Sequence, residues 1–372
     1  MGIVTVGTPE PRYRIWTIVR VLWVRAAVGR RPPLAWAPMD YSRIAERGLT
    51  GARALYRRIP VQHRSRLQPL VERGLGGKVS LRRVEITQST PTGWRPALAP
   101  VVIEAPDDLF IPKALVKRGL AGYEPFALET FLAVLDLAGP GAVLDIGANV
   151  GLYGLLAAAH GGRAVHAFEP TPRVAAAARR SARVSGLPIR VHRSAVGDRV
   201  GPVTLYVSNT SDASNSLNPQ FRQSVQQLVV PGTTVDAFCA RRRLRPAILK
   251  IDTESTEAAV LRGARRVIER HRPWILLEVL PARARGELDA LMAGSGYTYY
   301  HLTRAGVIEP ATQILGALGG ADMYLLSPRP MRAPDWRVVA GWREALTRVR
   351  MVHSHVEISD RILDPTLLPL PA

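Results

Sequence analysis

The stretch Ala142-Val143-Leu144-Asp145-Ile146-Gly147-Ala148-Asn149-Val150-Gly151 decides the fold. Its first half is a short apolar run rich in branched residues, the composition of a strand buried on both faces of a parallel sheet. Gly147 and Gly151 then let the backbone turn tightly and approach a ligand with no Cβ in the way. A helix starts at once, with Leu152, Leu155, Leu156 and Ala159 at helical spacing, so free N–H groups gather at the turn.

Outward from that turn, strands and helices alternate. Upstream, Leu128, Phe131, Leu132 and Leu135 mark a helix that Gly139-Pro140-Gly141 stops. Downstream come a strand over 164–168, a helix over 173–185, strands at 189–192 and 203–207, and a polar loop over 208–216. A strand at 247–251 follows, then one helix with Val260, Leu261, Ala264, Val267 and Ile268 on a face, a strand at 274–279, a helix at 287–293, and strands near 297–302 and 323–326. This rhythm predicts an α/β protein with a mainly parallel, seven-stranded, Rossmann-like sheet covered by helices on both faces. Residues 1–100 read as a basic extension of short helices and irregular chain, 101–328 as the main domain, and 329–372 as a basic helical tail.

Composition narrows the partners. The chain of 372 residues carries a formal charge of +20. Residues 1–100 hold 18 Lys plus Arg against 5 Asp plus Glu, so 13 of the excess charges sit in the extension. That asymmetry favours a solvated basic appendage over a nucleic-acid site. The segment Ile15–Val28 mixes Trp16 and Trp23 with arginines; packing on the main domain is preferred, with peripheral contact at a membrane surface as the alternative. No run of 18 uncharged apolar residues occurs, and Arg14, Arg20 and Arg25 spoil a signal-peptide core, so cytoplasm is the expected location. The single cysteine, Cys239, excludes a disulfide framework and reads as a core residue.

Two acids carry the cofactor signal. A dinucleotide loop expects G-x-G-x-x-G, but here the third position is Asn149. Asp145 at the strand end repels a phosphate and suits the ammonium of S-adenosylmethionine. Glu169, at the end of the next strand, can accept both ribose hydroxyls of an adenosine. The set therefore points to the sulfonium cofactor, and away from a nicotinamide oxidoreductase. His160, His166 and His192 lack metal-ligand spacing, and no metal is assigned.

The blocks Val143 to Gly154, Phe168-Glu169-Pro170, Ser194-Ala195-Val196-Gly197-Asp198, Leu249-Lys250-Ile251-Asp252-Thr253-Glu254, Leu261-Arg262-Gly263-Ala264 and Arg272-Pro273-Trp274-Ile275-Leu276-Leu277-Glu278 resemble the FkbM family of methyltransferases. The resemblance implies a class I methyltransferase fold and methyl transfer from S-adenosyl-L-methionine to a hydroxyl of a sugar or secondary metabolite. It places Asp145, Gly147, Asn149, Gly151, Glu169 and Ala195 with the cofactor.

An alcohol is a weak nucleophile, so Asp252 is the leading candidate for base or orienting group, with Glu254 second and Lys250 on the same strand face. An equally weighted reading makes Lys250 and Asp252 a structural ion pair. Ser255 stands where the family pattern Asp-x-Glu-Gly-x-Glu has glycine. If that position needs a positive φ, the serine bears on activity; if it only starts a helix, serine is a good cap. Ser255 and the basic arm motivate the competing reading, a non-catalytic methyltransferase-like binding protein held at a membrane or partner.

Overall fold

A computed structural model describes residues 78–88, 99–280, 286–302, 308–314 and 322–359. The chain divides into two compact units, Met1–Val79 with Ile358–Leu363 and Ser80–Glu357 with Asp364–Ala372. The helix expected over Ile15–Val28 lies outside the described residues. The described elements are β1 Lys78–Gln88, β2 Val101–Pro106, α1 Phe110–Arg118, α2 Pro125–Leu137, β3 Ala142–Ile146, α3 Leu152–His160, β4 Val165–Phe168, α4 Pro172–Ser185, β5 Ile189–His192, β6 Ala195–Val196 and β7 Gly201–Ser208. There follow β8 Ser224–Thr233, α5 Val235–Arg242, β9 Pro246–Ile251, α6 Glu257–Arg262, α7 Arg265–His271, β10 Trp274–Val279, α8 Glu287–Met292, β11 Thr298–Leu302, β12 Ile308–Ala311, β13 Asp322–Ser327, α9 Ala333–Thr347 and β14 Val349–Ser359.

The main sheet runs β12-β11-β13-β10-β9-β3-β4-β5. Its strands β10, β9, β3, β4 and β5 pair in parallel, while β13 is antiparallel to both β10 and β11. The Rossmann-like expectation is met with eight strands rather than seven. The extra strand, β12, pairs antiparallel with β11 at the sheet edge. It is four residues long and includes Pro310, so it carries almost no periodic signal.

Strand alternation assigns the two faces. Leu144 and Ile146 of β3, Leu249 and Ile251 of β9, and Ile275 and Leu277 of β10 join one core with Phe238, Cys239, Val260, Leu261, Val267 and Ile268. Asp145, Lys250 and Leu276 are register partners on the opposite face, where Asp145 Oδ2 accepts the Gly154 N–H of α3 at 2.9 Å. The single helix expected over 260–268 is two, α6 and α7. Their join at Gly263 brings the backbone so close to Gly197 that an added Cβ would lie 2.0 Å from its carbonyl oxygen.

Where described, the flanking segments include strands beside the helix expected in the tail. Residues 78–88 form β1, and the tail is α9 followed by a second strand, in a sheet ordered β14-β1-β2. Strand β2 docks along α4 through two serines one turn apart: Ser185 Oγ accepts the Val102 N–H at 2.8 Å and Ser181 Oγ the Glu104 N–H at 3.0 Å. Among the described residues no helix is long and apolar enough to cross a membrane.

Candidate active site

A cavity of about 370 Å³ opens outside the carboxyl ends of β3, β4, β9 and β10, where open α/β sheets collect ligands. One end is the turn after β3. The N–H groups of Gly147 and Ala148 both donate to the Phe168 carbonyl, at 3.0 and 2.9 Å. Gly147 has φ +78°, and a Cβ there would lie 1.6 Å from the Asp252 carbonyl oxygen. The turns after β3 and after β9 are thus in backbone contact, sealed by the Asp252 N–H bonding the Ile146 carbonyl at 3.0 Å.

Glu169 lines this end, 7% exposed. Its carboxylate accepts the backbone N–H of Asn149 at 3.1 Å and of Thr171 at 2.8 Å, which still leaves lone pairs toward the cavity. Burial outweighs these bonds and pushes its carboxyl up to about 7. Gly147, Asn149 and Ala195 line the cavity beside it.

Asp145 and Gly151 are not brought to the cavity wall. Asp145 is fully buried behind the turn, where it holds the first turn of α3, and burial raises its carboxyl to about 6. The sequence put it at the strand end; strand alternation points its side chain to the helix face instead. Gly151 faces Ala178. His160, His166 and His192 are also absent from the lining.

The other end is acidic. Lys250, 3% exposed, donates to Asp252 Oδ2 at 2.7 Å and lies 4.8 Å from the Tyr153 ring centroid. Burial opposes the Lys250 charge, but Asp252, Asp145 and Glu124 outweigh it and raise its pKa. Burial likewise opposes ionisation of Asp252, yet Lys250 and a hydrogen bond from Glu278 hold its carboxyl below the usual range. Glu254 is pushed the other way, up to about 8, by burial and then by Asp252 and Glu257. Asp252, Glu254 and Glu278 each offer a carboxylate oxygen within 4.8 Å of the others, close enough to share a divalent cation.

One lining residue, Glu124, escaped the sequence reading, while others it named take a definite place. Glu124, next to Pro125 at the start of α2, accepts the Tyr153 hydroxyl at 2.8 Å; only its left-handed backbone, φ 46°, sets it apart, and that has no sequence signature. Glu257 builds the acidic turn, its Oε1 accepting the N–H of Thr253 at 3.0 Å and of Ser255 at 3.1 Å. The polar loop over 208–216 does reach the site, where Ser211 to Leu217 form one wall. Ser255 has φ +82°, so the position does require the left-handed region and is not a simple cap.

Residues 145–299 match the Methyltransferase FkbM domain. The chain is 31% identical over 192 residues to the 31-O-demethyl-FK506 methyltransferase FkbM of Streptomyces tacrolimicus, covering 42% of this chain and 72% of that relative. Among solved structures, an FkbM methyltransferase of Methylobacillus flagellatus KT is 17% identical with a TM-score of 0.33, over 50% of this chain and 43% of its own. A SAM-dependent methyltransferase of Agrobacterium tumefaciens is 14% identical with a TM-score of 0.33, over 66% and 71%. The chain spans less than half the length of the first of these structures. On the sequence identity held through 72% of the Streptomyces relative, together with the domain match, the chain belongs to the FkbM methyltransferase family.

Proposed function

We propose that this protein is an S-adenosyl-L-methionine-dependent O-methyltransferase acting on a hydroxyl of a small molecule, a sugar or a secondary metabolite. The observation that carries the reading is one cavity with two unlike ends: a glycine turn beside Glu169, and Lys250–Asp252 with Glu254. The Streptomyces relative bears the name of a demethyl-FK506 methyltransferase, which supports a small-molecule acceptor.

The residues fit the cofactor. Glu169 keeps acceptor capacity toward a vicinal diol, and Gly147, Asn149 and Ala195 leave room beside it. Asp145 and Gly151 act from behind by fixing the start of α3. The cofactor, when bound, supplies an electrophilic methyl group; the chain supplies position and a proton acceptor.

Asp252, kept ionised by Lys250, orients the acceptor hydroxyl. Glu254 is better matched as the base, because a carboxyl near 8 sits closer to working pH than a depressed one. It is protonated below that value and takes up the hydroxyl proton only above it. Turnover should therefore rise with pH through about 8. In Glu254→Gln that limb should vanish and the plateau fall by about 100-fold. A rate that keeps its pH dependence in Glu254→Gln removes the base assignment.

A further inference from the structure

Segment 208–218, whose residues 211–217 form one wall of the cavity, is tied to both of the cavity's ends. On the cofactor side, Asp212 accepts the Phe110 N–H at 2.8 Å and the Asn149 side-chain amide at 3.2 Å, while the Asn215 amide donates to Thr171 Oγ1 at 3.1 Å. On the acidic side, the Ser216 hydroxyl donates to the Glu254 carbonyl at 2.5 Å and the Asn218 amide donates to Ser255 Oγ at 3.1 Å. Glu254 and Ser255 are consecutive non-glycine residues in the left-handed region, with φ 56° and 82°, an arrangement that costs folding energy.

We propose that Ser255 is a positioning residue that latches this segment as a strap over the cleft. The proposal rests on the reading that an S-adenosyl group occupies the cavity. A glycine at 255 would adopt the same backbone without strain, but it would offer Asn218 no acceptor. The serine hydroxyl is what the strained turn contributes. Closing the strap also fixes Glu254, whose carbonyl is the second tie, and release of the cofactor or its product then requires the latch to open.

A merely structural serine and a latch differ in sign. Ser255→Gly relieves strain while cutting the tie, so its melting temperature should rise while the strap loosens. The full-length protein is compared with Ser255→Gly, Ser255→Ala and Ser255→Asn by hydrogen exchange of the free protein and by the release rate of S-adenosylhomocysteine. The Ser214 and Ser216 amides, bonded to the Ser211 and Tyr206 carbonyls, report on the strap. Both Ser255→Gly and Ser255→Ala should speed their exchange and the release about five- to tenfold, the worth of one hydrogen bond, with Ser255→Ala melting lower than the parent. Ser255→Asn, which tolerates this backbone and presents an acceptor, should restore both rates. Parent-like exchange in Ser255→Gly and Ser255→Ala overturns the latch. If the parent itself fails to bind S-adenosylhomocysteine, the cofactor reading falls, and exchange in the free protein still decides whether Ser255 holds the strap.

Discussion

Gly147→Ala is expected to cost about 2–5 kcal/mol of stability, the sum of a left-handed alanine and an overpacked contact. The added methyl would lie 1.6 Å from the Asp252 carbonyl oxygen, a backbone atom that no side-chain rotation can clear. Relief requires the cofactor turn and the acidic turn to part, breaking the Asp252 to Ile146 backbone bond as well. Gly151→Ala is the matched comparison. It has a similar φ, +87°, but its Cβ would meet only the Ala178 methyl at 3.4 Å, so about 1–2 kcal/mol is expected. Urea unfolding of the two variants measures the difference. Equal costs would mean that the two turns are not in contact.

Asp252→Asn is expected to lower turnover by about 10²-fold, the cost of misplacing the acceptor hydroxyl that it orients. It also leaves the ammonium of Lys250 buried without its 2.7 Å partner, a change that destabilises by about 3 kcal/mol before Asp145 and Glu124 compensate. The two effects separate in the double variant Lys250→Met with Asp252→Asn. If the pair is scaffold alone, the double variant recovers stability and turnover together. If Asp252 orients the acceptor, stability returns and turnover does not. Unfolding midpoints and initial rates of methyl transfer, measured on the parent, Asp252→Asn and the double variant, decide between them.

The strand and turn pattern was legible because it is local. Periodicity from Leu128 to Val279 set the parallel strands and most helices, and the G-x-N-x-G turn with Glu169 marked one end of the cavity. Direction was harder to read. Asp145 ends its strand beside the turn, yet its side chain is buried under α3 and does not line the cavity; strand alternation decides its direction, and a one-residue difference in where the strand ends reverses the answer. Glu124, Tyr153 and Asp212 reach the site from segments far apart in sequence, so no spacing reveals them. The edge strand β12 is too short to show a period. Ser255 was legible as a departure from the family pattern, but whether it mattered depended on a backbone angle, and φ +82° makes it matter.

The central claim is that the Gly147 turn and Glu169 form a site for the adenosyl half of the methyl donor. Calorimetric titration of the full-length protein with S-adenosylmethionine tests it most directly, run beside Glu169→Ala. The parent should show one site per chain, and Glu169→Ala should lose at least about tenfold in affinity, as expected when a hydrogen-bond acceptor is removed from two hydroxyl donors. No binding by the parent, or an affinity unchanged by Glu169→Ala, would contradict it.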